Sequence, residues 1–173
     1  MTAAGLVERL RSSVVRVRDR GAGIVWRPGA VLTNLHVIAG TRRMPPVTGA
    51  DGVRREARVV ATSRPLDLAL LALSGDGLPP ATIGESARLR VGEMVFALGH
   101  PWGQPWAVSA GIVSGLGPRD YLRSDVRLAP GCSGGPLVDA CGRVVGVNTL
   151  VLGGDLAVAL SSDAARRWVE SLA

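Results

Sequence analysis

Lysine is absent from this chain of 173 residues, so all twenty basic residues are arginines, and they outnumber the fourteen acidic residues. The formal net charge is +6, and arginines cluster in residues 16–20 and 54–58. Because the arginine fork suits phosphate, nucleic acid is one candidate partner. However, the chain has a single phenylalanine and a single tyrosine, and it shows no helix-turn-helix, RNA-recognition or zinc-finger pattern. We therefore expect solvent-facing arginines on strands and no nucleic-acid partner.

Cysteine and histidine are also rare, with two residues of each type. They do not reproduce the ligand spacing of structural zinc sites. Residues 133–140, which separate Cys132 from Cys141, have the composition of a loop, a strand and a turn. At about 3.3 Å per extended residue, the thiols lie beyond the roughly 7 Å Cα separation of a disulfide. We expect two free thiols, a reducing compartment, no metal and no cofactor.

Long apolar runs are missing as well. No stretch approaches the roughly 18 to 20 consecutive apolar residues of a membrane-spanning helix. The first residues lack the basic segment and the apolar core of a signal peptide. Their apolar spacing at Leu6, Val7 and Leu10 indicates a short amphipathic helix instead. These observations predict a protein without a membrane span and with a cytoplasmic location.

Glycine, in contrast, is abundant, and residues 130–137 (PGCSGGPL) surround Ser133 with it. Glycines beside a serine allow a tight turn that brings two N–H groups toward one point, where the oxyanion of a tetrahedral intermediate can accept both. The pattern indicates a serine hydrolase with Ser133 as the nucleophile. Taken alone, the same motif also fits a glycine-rich turn between strands.

A serine hydroxyl needs a neighbouring base, and the base needs a group that orients it. His36 follows an apolar strand-like segment, whereas His100 lies in the loop sequence GHPWG. Asp67 opens the apolar run DLALLAL, and an acid at the start of a buried strand needs a partner. Each residue alone fits a structural role in the core, in a turn or in a loop. Together, the chain order His36, Asp67, Ser133 is that of the chymotrypsin-type triad.

Short strands separated by turns predict an all-β protein. In residues 13–18 two valines alternate with two arginines, as in a half-buried strand. Further strands are expected at residues 23–26, 30–33, 55–61, 68–73, 94–98, 107–114, 121–126, 136–138, 143–148 and 156–160. The turn-forming residues 74–80 separate two groups of strands. Near the end, Ser162 as N-cap, an early acid and apolar residues at helical spacing predict a closing helix.

Five segments follow one another in the order of a known family. They read GAGIV to LTNLHV (21–37), DLALL (67–71), VGEMVFALGHPWG (91–103), GIVS (111–114) and SD to GCSGGPL (124–137). With them the chain resembles the protease domain of the HtrA/DegP family of trypsin-fold serine proteases. The resemblance implies two six-stranded antiparallel β-barrels of the chymotrypsin/trypsin type, with a short N-terminal and a C-terminal helix. We expect one protease domain over residues 1–173, with barrels at 12–78 and 88–160 and the last helix at 162–172.

The resemblance also implies a serine endopeptidase that works through an acyl-enzyme on a polypeptide substrate. Ser133 attacks the peptide carbonyl, His36 takes and returns the proton, and Asp67 orients the imidazole and stabilises the imidazolium. The N–H groups of Gly131, Cys132 and Ser133 are the implied oxyanion hole. A strand of Val147, Asn148 and Thr149 is the implied partner of the substrate backbone.

Three positions depart from the family pattern. Cys132 replaces the usual asparagine, but Ser133 directly precedes the Gly-Gly pair and is therefore the expected nucleophile. His100 replaces another asparagine, which makes it a loop residue and not the base. Arg127, six residues before Ser133, stands where the family usually has alanine and where trypsin-like enzymes shape the floor of the primary specificity pocket. It either favours acidic or polar residues at the cleavage point, narrows the pocket, or turns outward into solvent.

Features that are missing relative to the family limit the functional prediction. The sequence shows no PDZ domain, few residues between 117 and 124 where the family has a longer regulatory loop, and none of the N-terminal aromatic residues of family trimers. A monomer is expected. The alternative to an active peptidase is a catalytically silent trypsin-fold peptide-binding module, in which the oxyanion loop is collapsed or the cleft is blocked.

Overall fold

Two closed barrels make up the computed structural model, which describes residues 2–41, 44–75, 77–100, 106–117 and 120–173. The strands of the first barrel are β1 (Val14–Val17), β2 (Gly21–Arg27), β3 (Ala30–Asn34), β4 (Pro46–Thr48), β5 (Arg54–Ser63) and β6 (Leu68–Leu73). They lie in the order β1-β2-β3-β6-β5-β4, and antiparallel pairing of β1 with β4 closes the barrel.

The second barrel repeats this arrangement. Its strands are β7 (Met94–Gly99), β8 (Ala107–Leu116), β9 (Tyr121–Ser124), β10 (Pro136–Asp139), β11 (Val144–Leu152) and β12 (Leu156–Ser161). They lie in the equivalent order β7-β8-β9-β12-β11-β10, closed by pairing of β7 with β10. The predicted fold of two six-stranded antiparallel barrels with terminal helices is confirmed.

Two differences from the predicted strands have physical reasons. Strand β4 was not predicted, because three residues that begin with proline are too few to show the alternation of apolar and polar residues that is typical of a strand. Strand β11 continues to Leu152, beyond the predicted end at residue 148. It does so because it stays paired with β12 as far as the Leu152–Leu156 pair. Pairing with β12, and not the local sequence, therefore decides where β11 ends.

Strands β3 and β6 are apolar on both faces because each face is buried against a different partner. Val31 packs inside the first barrel with Val25 and Leu71. The neighbouring Leu32 belongs to a cluster that joins both barrels and includes Leu98 of β7. Full burial of one such side chain contributes about 1.5–3 kcal/mol. This shared cluster holds the ends of β3 and β6 in a fixed position relative to the second barrel.

Three α-helices lie in the described ranges: α1 (Ala3–Arg11), α2 (Leu35–Ile38) and α3 (Ser162–Ser171). Leu6 and Leu10 of α1 are buried, as the apolar spacing predicts. The N-cap of α3 is Ser161, one residue before the predicted cap, and its hydroxyl accepts the Ala164 N–H. No helix in the described part of the chain is long and apolar enough to span a membrane.

The hairpin between β4 and β5 contains an ion pair with a predictable pH dependence. Arg55 Nη2 lies 2.6 Å from Asp51 Oδ2. This hydrogen bond, followed by that from the Val53 N–H, lowers the pKa of Asp51 to about 2. Because folding favours the carboxylate, the pair stabilises the protein above the ordinary aspartate pKa near 4, and this contribution is lost as the pH falls through about 2.

We expect only a small effect of Asp51→Asn, below about 1 kcal/mol at pH 7, because the Asp51 side chain is 42% exposed. Urea unfolding of the wild type and the variant between pH 7 and pH 2 measures it. The difference in unfolding free energy should shrink toward pH 2. A difference that grows on acidification would contradict the assignment.

Candidate active site

His36 lies on the short helix α2, which follows β3 directly. Val37 and Ile38 of this helix are buried, whereas His36 is exposed. The apolar residues anchor the helix on the first barrel. The imidazole is therefore held at the barrel surface and remains accessible to a ligand.

Asp67 lies in the turn that leads into β6. Strands β3 and β6 are antiparallel neighbours, with Asn34 opposite Leu68, so the residue before β6 comes close to the helix after β3. Asp67 Oδ2 lies 2.5 Å from His36 Nδ1, and Asp67 Oδ1 accepts the His36 N–H at 3.0 Å. Two contacts with one residue fix the carboxylate and leave His36 Nε2 on the far side of the ring.

The backbone of Asp67 adopts an uncommon conformation, with φ of +52°. Such a left-handed conformation costs a non-glycine residue about 1–3 kcal/mol and often marks a functional site. It is held by two donors to the Asp67 carbonyl oxygen, the Leu35 N–H and Asn34 Nδ2, each at 2.9 Å. Asn34 is fully buried and also reaches Thr149 Oγ1 of the second barrel at 3.4 Å. Asn34 was not predicted as a site residue, although an amide at the end of an apolar strand was a signal for it.

The loop before Ser133 contains a hydrogen-bonded turn. The Cys132 N–H donates to the Ala129 carbonyl at 3.0 Å, and Gly131 has φ of +103°. With Pro130 in second position and a positive φ in third position, the turn is of type II. The N–H of Cys132, predicted as one of three oxyanion donors, is thus already bonded. Within the described residues, the N–H groups of Gly131 and Ser133 have no hydrogen-bond partner.

The Ser133 loop is attached to the first barrel. The Ala22 N–H donates to the Ser133 carbonyl at 2.9 Å. A Cβ on Gly134 would lie 2.3 Å from the Ala22 carbonyl oxygen and 2.3 Å from Thr33 Oγ1. Only glycine permits this approach, so Gly134 serves the contact between the barrels as well as the turn. Gly134 has φ of +84°, which favours glycine for a second reason.

The structure thus places Ser133, from the second barrel, beside the first barrel that carries His36 and Asp67. In this structure the Ser133 hydroxyl donates to the Thr149 carbonyl at 3.2 Å, and among the described residues no hydrogen bond joins it to His36. Catalytic hydrogen bonds are often long in ligand-free sites and form with the substrate.

The thiol of Cys132 is buried, with 6% of the residue exposed. This burial raises the pKa of the thiol above its ordinary value. A thiol is a nucleophile as the thiolate, and burial disfavours the thiolate of Cys132. Its environment favours Ser133 as the nucleophile. Cys141 is exposed, and both cysteines are free.

Strand β11 was predicted to bind the substrate backbone through Val147, Asn148 and Thr149. The structure differs at the first two residues. Val147 is paired with Pro136 on one side and Leu160 on the other. The backbone of Asn148 is bonded to that of Gly134 and Gly135.

The open edge of β11 begins at Thr149. From there β11 is paired with β12 alone among the described strands, because β10 pairs with it only as far as Val147. Leu150 and Val151 on this segment are 44% and 43% exposed. The segment 149–151 is therefore the part of β11 to which a peptide strand can be added.

The sequence also singled out Arg127 and His100 as departures from the family pattern. Arg127 is exposed, and its backbone carbonyl accepts the Ser109 hydroxyl at 2.6 Å. The role of Arg127 in specificity stays a prediction. His100 is buried, and its ring centroid lies 4.9 Å from that of Trp106. The backbone N–H of His100 donates to the Gly131 carbonyl. Residues 101–103 of the predicted loop GHPWG lie outside the described residues.

Known proteins are similar to this chain in sequence, and a solved structure is similar to it in fold. A family model described as trypsin-like peptidase domain matches residues 21–147. A probable periplasmic serine endoprotease DegP-like of Pseudomonas savastanoi pv. phaseolicola is 39% identical over 156 residues, which are 86% of this chain and 32% of the relative. Protease Do-like 1, chloroplastic, of Arabidopsis thaliana is 37% identical over 145 residues, 76% of this chain and 33% of the relative. The solved HtrA-type protease AlgW with decapeptide matches with a TM-score of 0.90 at 25% identity, over 99% of this chain and 67% of that chain.

These relatives correct the predicted location. Relatives from Halomonas elongata, Pseudomonas savastanoi and Chlamydia trachomatis are named periplasmic serine endoproteases, so the prediction of a cytoplasmic protein is wrong. It rested on the first residues of the chain. The chain spans about a third of the length of these curated relatives, and its first residues do not decide the compartment.

Proposed function

Because this chain belongs to the family of trypsin-like peptidase domains, we propose that it is a serine endopeptidase with a His36–Asp67–Ser133 triad. Its resemblance to HtrA/DegP proteases is confirmed by the relatives and by the AlgW structure. The observation that carries the proposal is the contact of 2.5 Å between Asp67 Oδ2 and His36 Nδ1, on a barrel to which the Ser133 loop is hydrogen-bonded.

In the proposed reaction, the Ser133 hydroxyl turns from the Thr149 carbonyl toward His36. His36 Nε2 takes the proton as Oγ attacks the peptide carbonyl, and it then returns the proton to the leaving amine. Asp67 keeps the Nδ1 proton in place and stabilises the imidazolium that forms. Water attacks the acyl-enzyme in the second half of the reaction, again with His36 as the base.

The oxyanion is assigned to the N–H groups of Gly131 and Ser133. Both N–H groups lack a hydrogen-bond partner among the described residues. In this type II turn, the peptide plane between Pro130 and Gly131 is flipped relative to its orientation in a type I turn. A plane turned the other way would direct a carbonyl oxygen, and not an N–H, into the same space. This geometry supports an active peptidase over the silent peptide-binding module. One oxyanion donor contributes about 2.7–4 kcal/mol to catalysis.

We assign the substrate backbone to the open edge of β11 at residues 149–151. A peptide added there as an antiparallel strand forms main-chain hydrogen bonds next to Ser133, and its side chains supply selectivity. Leu150 and Val151 offer an apolar surface to alternate side chains of that peptide. For the location, we propose a compartment outside the cytoplasm, as in the relatives named periplasmic.

Covalent labelling with a fluorophosphonate tests the nucleophile. The reagent should label the wild type at Ser133, and Ser133→Ala should abolish the labelling. The matched control is Cys132→Ala, which alters the neighbouring residue and should still be labelled. Intact-protein mass spectrometry gives the stoichiometry, and peptide mapping gives the site.

Two results would overturn the proposal. Labelling that persists in Ser133→Ala places the nucleophile elsewhere. A wild type that is folded but neither labelled nor active on unfolded casein supports the silent module instead.

A further inference from the structure

Arginines from both sequence clusters line one cavity on the outside of the first barrel. The cavity has a volume of about 330 Å³, and its charged lining residues are Arg16, Arg18, Arg20 and Arg54 together with Asp19. Residues 16–20 and residue 54 are far apart in the sequence. The proposed peptidase reaction uses none of these side chains, so their convergence needs another explanation.

Strand pairing produces the convergence. Arg16 of β1 lies opposite Thr48 of β4, and Thr48 lies opposite Arg54 of β5. Directly opposed residues point to the same face of a sheet. Arg16 and Arg54 therefore flank Thr48 on one face, two strand spacings or about 9.6 Å apart at the backbone. Strand register therefore places the Arg16 and Arg54 side chains on the same side of the sheet.

Arg18 is held in place before any ligand binds. Its Nη1 donates to the Ala39 carbonyl at 2.9 Å and to the Val37 carbonyl at 3.3 Å. Among the described residues its Nε and Nη2 have no hydrogen-bond partner, so these donors remain available. Arg18 also has φ of +53°, where glycine or asparagine is the usual choice. A costly backbone conformation that presents a guanidinium to a cavity is typical of a binding site.

Nearby charges leave the cavity positive. Arg55, next to Arg54, is paired with Asp51. Within the described part of the chain, the exposed Arg20 and Arg54 have no ion pair. The cavity lining contains four arginines and one acidic residue, Asp19. An anion with several oxygens is the ligand that such a set of forked donors fits best.

We propose that this cavity binds a compact phosphoryl anion of the diphosphate type through Arg18, Arg20 and Arg54, with Arg16 beside it. Its volume lies at the lower end of the range for small-ligand sites, about 300–1,000 Å³, which suits a diphosphate. The phosphoryl group belongs either to free pyrophosphate or to a diphosphate ester. This site is separate from the proposed peptidase activity and does not depend on it.

Calorimetric titration of the Ser133→Ala protein with sodium pyrophosphate tests the proposal at about 150 mM salt, where exposed charges more than about 8 Å apart are largely screened from each other. We expect saturable binding of one anion per chain. The double variant Arg20→Gln/Arg54→Gln should weaken binding by at least about tenfold, because charge-assisted hydrogen bonds to both guanidiniums are lost. Arg18 is left unchanged because it supports the helix that carries His36.

The matched control is Arg27→Gln/Arg58→Gln, which removes the same charge from exposed arginines of the first barrel outside the cavity. The affinity of this control for pyrophosphate should remain within about threefold of that of the Ser133→Ala protein, since distant exposed charges are largely screened. A parallel titration with adenosine diphosphate distinguishes the two forms of the ligand. Tighter binding of adenosine diphosphate than of pyrophosphate identifies a diphosphate ester, and weaker binding identifies the free anion. No saturable pyrophosphate binding, an equal loss in the control, or binding of a single-stranded oligonucleotide without pyrophosphate binding would overturn the proposal.

Discussion

Replacing Asp67 with asparagine should lower kcat/KM for peptide cleavage by about ten-thousandfold at neutral pH. The Asp67 Oδ1 atom accepts the His36 N–H at 3.0 Å, and an amide oxygen keeps this bond. The amide NH₂ then occupies the position of Oδ2, 2.5 Å from His36 Nδ1 in the wild type. An NH₂ donates to Nδ1 and moves the imidazole proton to Nε2. In that tautomer, His36 cannot accept the Ser133 proton.

A stability measurement distinguishes this loss of activity from misfolding of the Asp67→Asn protein. Asparagine is close in shape to aspartate and, like it, tolerates the left-handed backbone at position 67, so unfolding free energy should change by less than about 1 kcal/mol. The control Glu170→Gln removes an exposed carboxylate from α3 and should leave both activity and stability unchanged. Initial rates with a fluorogenic peptide and urea unfolding of the same samples provide the measurements. An Asp67→Asn protein that retains more than about a tenth of the activity would show that His36 is oriented by another group.

Replacing Gly134 with alanine should destabilise the protein by about 2–5 kcal/mol. Two costs add: about 1–2 kcal/mol for a Cβ in the left-handed region and about 1–3 kcal/mol for overpacking. The overpacking follows from the separation of 2.3 Å between the added Cβ and both the Ala22 carbonyl oxygen and Thr33 Oγ1. Relief of this clash moves the Ser133 loop away from the first barrel. Peptidase activity should therefore fall together with stability.

Gly142→Ala is the matched control for that variant. Gly142 also has a positive φ, +80°, but the nearest atom to an added Cβ lies 3.7 Å away. Gly142→Ala should show only the conformational cost, about 1–2 kcal/mol, with full activity. Urea unfolding of both variants gives the difference. Equal destabilisation of the two would mean that close packing between the barrels at Gly134 contributes nothing.

Much of the fold can be predicted from short stretches of sequence, because the residue pattern that indicates a strand lies within the strand itself. The alternation of valine and arginine around Val15 and Arg16 predicts β1, and the apolar run after Asp67 predicts β6 at its observed bounds. The length of β11 was not predictable, since its last residues are ordered by pairing with β12. The short β4 was missed for the same reason: it is a strand because β1 and β5 lie on either side of it.

The candidate site divides in the same way. The sequence singles out Ser133, His36 and Asp67 by residue type, by flanking residues and by their order along the chain. It did not indicate that the Cys132 N–H is bonded to Ala129, or that Val147 lies between two strands and cannot accept a peptide. These outcomes depend on which backbone groups are already paired, and that is a property of the folded chain.

The sequence by itself determined the chemical groups of this protein: a serine among glycines, a histidine after an apolar strand, an aspartate before another, and basic charge carried by arginine alone. Only the tertiary structure decided which of them meet. Asn34 and Thr149, 115 positions apart in the chain, are in contact across the two barrels. The arginines of β1 and β5 face one cavity because β4 lies between them. Such contacts arise from strand register and barrel closure, which bring distant segments of the chain together. The sequence on either side of each residue therefore does not predict them.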